Sequence, residues 1–73
     1  MKAFSLIGVD GNAYAIMGYT AKALRKAGLD DKVKEMQDKA MSGNYYQLIG
    51  VCDEYISMAN EALNLEEGDE DDE

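Results

Sequence analysis

The residues able to do chemistry in this chain are few, and their spacing points away from catalysis. There is no histidine and one cysteine, Cys52. Histidine is the side chain that most often moves protons in general acid–base work, so the commonest catalytic device is missing. Asp53 and Glu54 are paired carboxylates, but adjacent residues on a helix diverge by about 100° and cannot converge on one substrate atom. Asp10, Gly11 and Asn12 hint at a calcium loop, yet the D-x-[DN]-x-[DN]-G run with its closing glutamate is not met. One thiol without histidine falls short of the four ligands of a structural zinc site. No phosphate-binding glycine motif occurs. The expectation is a protein that is not an enzyme, with no catalytic residue, metal or cofactor.

The segment with the best claim to a ligand is Asp10-Gly11-Asn12-Ala13-Tyr14. In structural terms it is a strand-to-helix joint: Gly11 supplies an unusual backbone angle, Asn12 caps the helix, and Asp10 pairs with nearby backbone donors. In functional terms the exposed N–H groups of that helix start could hold an anion such as a nucleotide phosphate, with Tyr14 stacking on a base. Charge would then have to come from Lys2 or a second subunit. Asp10, Gly11, Asn12, Tyr14 and Tyr19 are the candidate binding residues. Cys52 reads as a small buried hydrophobe, because Asp53 and Glu54 beside it oppose a reactive thiolate.

The elements that must position these residues are punctuated by glycine, since the chain has no proline. Residues 3–9, apolar with β-branched and aromatic members, predict a short strand. From Ala13 to Ala27 the pattern becomes helical, with Ile16, Met17, Thr20, Leu24 and Ala27 on one face. Asn12 or Asp10 is its N-cap and Gly28 its left-handed C-terminal cap, with Leu29 making the follow-on contact. A second helix is expected over 31–42, with Leu29, Val33, Met36, Ala40 and Met41 as its apolar stripe. Ser42-Gly43-Asn44 makes the link to a third helix, from Tyr45 to about Asn64. Its face comprises Tyr45, Leu48, Ile49, Cys52, Ile56, Ala59 and Leu63. The fold class is therefore mainly α: a short N-terminal strand, three antiparallel helices and an acidic, disordered C-terminal tail. The alternative is α+β, with Ala13–Tyr19 returning as the second strand of an N-terminal hairpin before two helices.

Charge divides the chain in two. Seven of its fifteen acidic residues lie in 66–73, whereas residues 1–65 hold eight acids against seven bases. The net −8 thus describes a tail appended to a nearly neutral domain of residues 1–65. Lys22, Arg25 and Lys26 form a cationic spot suited to a helix C-terminus, too small to make direct nucleic-acid binding the expectation. The opening run is too short for a secretory signal, and no segment approaches the ~20 apolar residues that cross a bilayer. A cytoplasmic protein without a membrane partner is expected. A single strand has no sheet to join in its own chain and its backbone groups need partners, which points to a homodimer.

Asp10-Gly11-Asn12-Ala13-Tyr14-Ala15-Ile16-Met17-Gly18, then Lys22-Ala23-Leu24 and Ala27-Gly28, resembles a group of small proteins found in phages, prophages and their hosts. These share a D-G-N-A-aromatic segment opening a helix. They also share a Ser-Gly-Asp/Asn-Tyr turn, here Ser42-Gly43-Asn44-Tyr45, before an apolar last helix. The resemblance spans roughly residues 5–58 and carries no established activity. It implies a mobile genetic element, a setting in which small proteins without catalytic residues often bind host factors.

The functional expectation is a non-catalytic binding protein, phage or prophage encoded, that modulates or inhibits a host factor by protein–protein interaction. Five tyrosines and five methionines in so short a chain suit contact surfaces. Two alternatives are a nucleotide-sequestering protein with a pocket between subunits and an acidic DNA mimic that depends on 66–73.

Overall fold

The computed structural model describes residues 3–65 and contains three helices: α1 (Ala13–Lys26), α2 (Asp31–Ala40) and α3 (Tyr45–Ala62). Met1, Lys2 and the acidic run 66–73 lie outside the described residues, and with them the expected tail. Among the described residues no helix is long and apolar enough to cross a membrane.

Each helix begins and ends where its own residues dictate. Asn12 caps α1, its side chain accepting from the N–H groups of Tyr14 (2.8 Å) and Ala15 (3.3 Å). Gly28, at φ +76°, closes α1. Its N–H donates to the Arg25 carbonyl (3.0 Å) and the Leu29 N–H donates to that of Leu24 (2.8 Å), the paired bonds that satisfy orphan carbonyls at a helix end. Asn44 caps α3 in a reciprocal arrangement with Gln47. Asn64 takes the left-handed role at the far end, at φ +62°. Only α2 starts without a side-chain cap on Asp30.

α3 packs against both α1 and α2. Leu24, Met36, Cys52, Tyr55, Ile56 and Ala59 are fully buried where the three helices meet; burying an aliphatic side chain of this size stabilises by about 1.5–3 kcal/mol. Thr20 and Asn60 are buried with them. The Thr20 hydroxyl donates to the Ile16 carbonyl at 2.8 Å, so it enters the core already satisfied.

α1 and α3 repeat one another. Asn12-Ala-Tyr-Ala-Ile-Met-Gly-Tyr-Thr aligns with Asn44-Tyr-Tyr-Gln-Leu-Ile-Gly-Val-Cys without a gap. Equivalent positions share environments: the cap asparagines, exposed Tyr14 and Tyr46, buried Ile16 and Leu48, exposed Gly18 and Gly50, and buried Leu24 and Ile56. The equivalent residues Thr20 and Cys52 are both fully buried in the core.

Residues 3–9, expected as a strand, form none. The Asn60 side chain does what a neighbouring strand would do. Its Oδ1 accepts from the Phe4 N–H (2.8 Å) and its Nδ2 donates to the Phe4 carbonyl (3.0 Å). The Ser5 N–H donates to the Tyr19 hydroxyl (3.0 Å), and Ile7 and Val9 donate within a local turn. The backbone demand that pointed to strand pairing between subunits is met within one chain for these groups. Phe4, Leu6 and Val9 rest against the core, so the segment lies over the helices as a strap. The hairpin alternative fails because Ala13–Tyr19 is the first half of α1.

Three smaller corrections concern ends and angles. Gly11 does not have the left-handed angle expected of it; Gly8 and Gly28 do. Met41 lies one residue past the end of α2 and is 64% exposed. Tyr45, placed on the packed face of α3, is 42% exposed, since the first residue of that helix projects beyond the core.

Candidate functional site

The joint before α1 is built from side chains that fasten one another. Asp10 accepts from the Asn12 N–H at 2.9 Å, Asn12 caps the helix, and the Gly11 carbonyl accepts from the Tyr45 hydroxyl at the start of α3. A Cβ on Gly11 would sit 3.4 Å from that hydroxyl, an ordinary contact distance. Asp10, Gly11 and Asn12 are thus brought together as expected. Their polar atoms, though, are turned to holding the joint.

This arrangement engages several of the donors that an anion would use. Of the first-turn donors, Tyr14 and Ala15 give their N–H groups to Asn12 Oδ1, and Ile16 donates to the Asn12 carbonyl at 2.9 Å. A helix N-terminus attracts anions through free N–H groups, and here the cap occupies those of Tyr14 and Ala15. Tyr19 parts company with the other candidates. It is half-buried, its ring meets that of Phe4 edge-on with centroids 6.0 Å apart, and it anchors the strap.

Tyr14 projects into solvent, 75% exposed, at the rim of an open groove of about 290 Å³. Met17, Ala40 and Leu48 lie within the groove and Met41 and Tyr45 complete its rim, without a charged residue in the lining. Tyr46, 82% exposed, sits beside Tyr45 with ring centroids 6.1 Å apart. The groove exists because the first turn of α1, the end of α2 and the first turn of α3 come to the same end of the molecule. Tyrosine and methionine are the residues enriched at protein contact surfaces. Met41, Tyr45 and Tyr46 were not among the candidates. The signal for them was the run of large apolar residues flanking a Ser-Gly-Asn link, which has no local structural need for them.

Elsewhere the titratable groups serve the fold. The Tyr55 ring is fully buried; its hydroxyl donates to Glu35 and the Lys39 ammonium lies 5.6 Å from its ring centroid. That hydrogen bond holds Glu35 below the usual carboxylate range, with Lys32 and Lys39 adding to it. Burial pushes Tyr55 up, and interaction with Tyr55 raises Lys39. Burial likewise raises the Cys52 thiol, whose sulfur lies 4.0 Å from that of Met36. Among the described residues no group of three or more His, Cys, Asp or Glu could hold a metal ion. No family model matches the chain, and no curated protein or solved structure matches it significantly.

Proposed function

We propose that the protein is a non-catalytic binding protein that acts on another protein through the uncharged groove bounded by Tyr14, Met41 and Tyr45, with Tyr46 beside it. One observation carries this reading: four of the five large hydrophobic residues most exposed to water gather at one end of the molecule, around an opening no charge lines. Scattered single exposures need no explanation, whereas clustered ones mark contact surfaces. The resemblance to small phage and prophage proteins supplies the setting, modulation of a host factor in the cytoplasm.

Nucleotide sequestration is less well supported, because Asn12 engages the N–H groups of Tyr14 and Ala15 and no cation lines the groove. The test pairs two measurements. Retention of a specific host protein by the wild-type chain, lost on combining Tyr14→Ser, Met41→Ser and Tyr46→Ser at an unchanged melting temperature, supports the proposal. A concentration-dependent rise in melting temperature with a nucleotide would replace it with sequestration.

A further inference from the structure

The repeat leaves one device on two faces. α1 presents Tyr14, Gly18, Lys22 and Arg25 to solvent, and α3 presents Tyr46, Gly50, Asp53 and Glu54. Neither glycine is required by the fold. A Cβ at Gly18 or Gly50 would meet nothing within 4 Å, and neither has a positive φ. A glycine inside a helix costs about 1 kcal/mol relative to alanine. Both helices therefore give up stability for a bare stretch of outer backbone.

The two stripes point in opposite directions. Residues two apart on a helix lie about 200° apart, so Gly18 faces away from Thr20, and Gly50 away from Cys52. Thr20 and Cys52 are fully buried on helices that pack against each other. The stripes also differ in sign: Lys22 and Arg25 on α1 correspond to Glu54 and Ser57 on α3, with Asp53 alongside. Lys22, Arg25 and Asp53 have no ion-pair partner among the described residues, while Glu54 feels Lys39. The α3 flank is concave, an open groove of about 610 Å³ lined by Gln47, Gly50, Asp53 and Glu54, with Lys39 as the one cation in its lining.

We propose that the protein self-associates head to tail, the basic flank of α1 in one copy seating against Asp53 and Glu54 in the α3 groove of a second. The two halves of the contact sit on one chain, at matching positions of a repeat, with opposite charge and with glycine where the backbones would approach. Because the halves face opposite ways, the contact is heterologous and builds rings or open chains. Its charged and glycine positions lie outside the Tyr14–Met41–Tyr45 groove, which the stripes touch only at Tyr14 and Tyr46, and it differs from a strand-paired dimer.

Sedimentation of the full chain at about 0.1 M and 1 M salt, where charges are screened over about 10 Å and 3 Å, tests the proposal. The weight-average mass is expected to climb with concentration from 8.0 kDa past the dimer value at the lower salt and to fall back at the higher. Gly50→Gln is expected to keep or raise its melting temperature and to weaken association by about tenfold or more, as blocking a contact centre does. The decisive arm mixes two variants. Lys22→Glu with Arg25→Glu makes both flanks acidic, and Asp53→Lys with Glu54→Lys makes both basic. Each alone should remain monomeric, and the mixture should associate. A mass of 8.0 kDa at every concentration, a dimer indifferent to these charges, or a mixture that stays monomeric overturns the proposal.

Discussion

α1 and α3 start alike and end up with different duties. Both open on an asparagine cap, expose a tyrosine, bury an aliphatic residue one turn on and bury a second, Leu24 or Ile56, farther along. Three of the positions that differ carry something small in the first repeat. Ala13, Ala23 and Gly28 correspond to Tyr45, Tyr55 and Asn60 in α3. Each larger side chain reaches another element: Tyr45 to the Gly11 carbonyl, Tyr55 to Glu35 of α2, and Asn60 to both backbone groups of Phe4. The shared positions make a helix pair, and the unshared ones make α3 the hub to which everything else is tied.

Substitutions at shared and unshared positions should therefore fail in different ways. The largest effect is expected at a shared site. Ile56→Asp places a charge at a position with no exposure, where no partner compensates its desolvation. For a small domain stable by about 5–15 kcal/mol, loss of the cooperative melt in circular dichroism is expected. A native-like, cooperatively melting variant would show that this face is not the core.

Asn60→Ala comes next and should break one tie. Two hydrogen bonds to Phe4 are lost, at about 1–3 kcal/mol in all for groups left unsatisfied. The distinguishing sign is local: amide exchange at Phe4 and Ser5 should rise more than exchange in α1 or α3. Uniform acceleration through the whole chain would mean that Asn60 serves the general core and not the strap.

Tyr55→Phe should cut the tie to α2 and leave a pH signature. Glu35 is held below its ordinary value in the folded state, so its contribution is present above the unfolded pKa and is lost as pH falls through the folded one. Lys39 is raised, so its contribution is present below its unfolded pKa and is lost as pH rises through the folded one. Both depend on the Tyr55 hydroxyl. The stability gap between wild type and variant, followed by urea titration, should be widest near neutrality and narrow on either side. A gap constant from acid to alkali would remove Tyr55 from the hub.

The smallest effect has the opposite sign. Gly18→Ala and Gly50→Ala each place a Cβ in open space and should stabilise by up to about 1 kcal/mol, equally in both helices. Unequal gains would show that the two stripes are not equivalent in the folded chain.

Much of this fold was legible locally, because caps and periodicity act over a few residues. Asn12, Gly28, the Ser42-Gly43-Asn44 link and the burial of Cys52 all follow from near neighbours. The strap was not legible. Phe4 is satisfied by a side chain 56 residues away, and an apolar β-branched run reads as a strand until that partner is known. Tyr55 was hidden for a related reason: a tyrosine can be fully buried only if its hydroxyl finds an acceptor, and Glu35 lies on a different helix. At the candidate site, the roles of Asp10 and Asn12 were legible. Tyr45 and Met41 were misplaced because helical periodicity does not say where a helix outruns the core.

The fate of Cys52 follows from where α1 and α3 cross. A lone sulfur sealed between Thr20 and Met36, with its ionisation suppressed by burial, is shielded from alkylating reagents while the helices stay shut. Its labelling rate therefore reports how often the packing of the three helices around it opens.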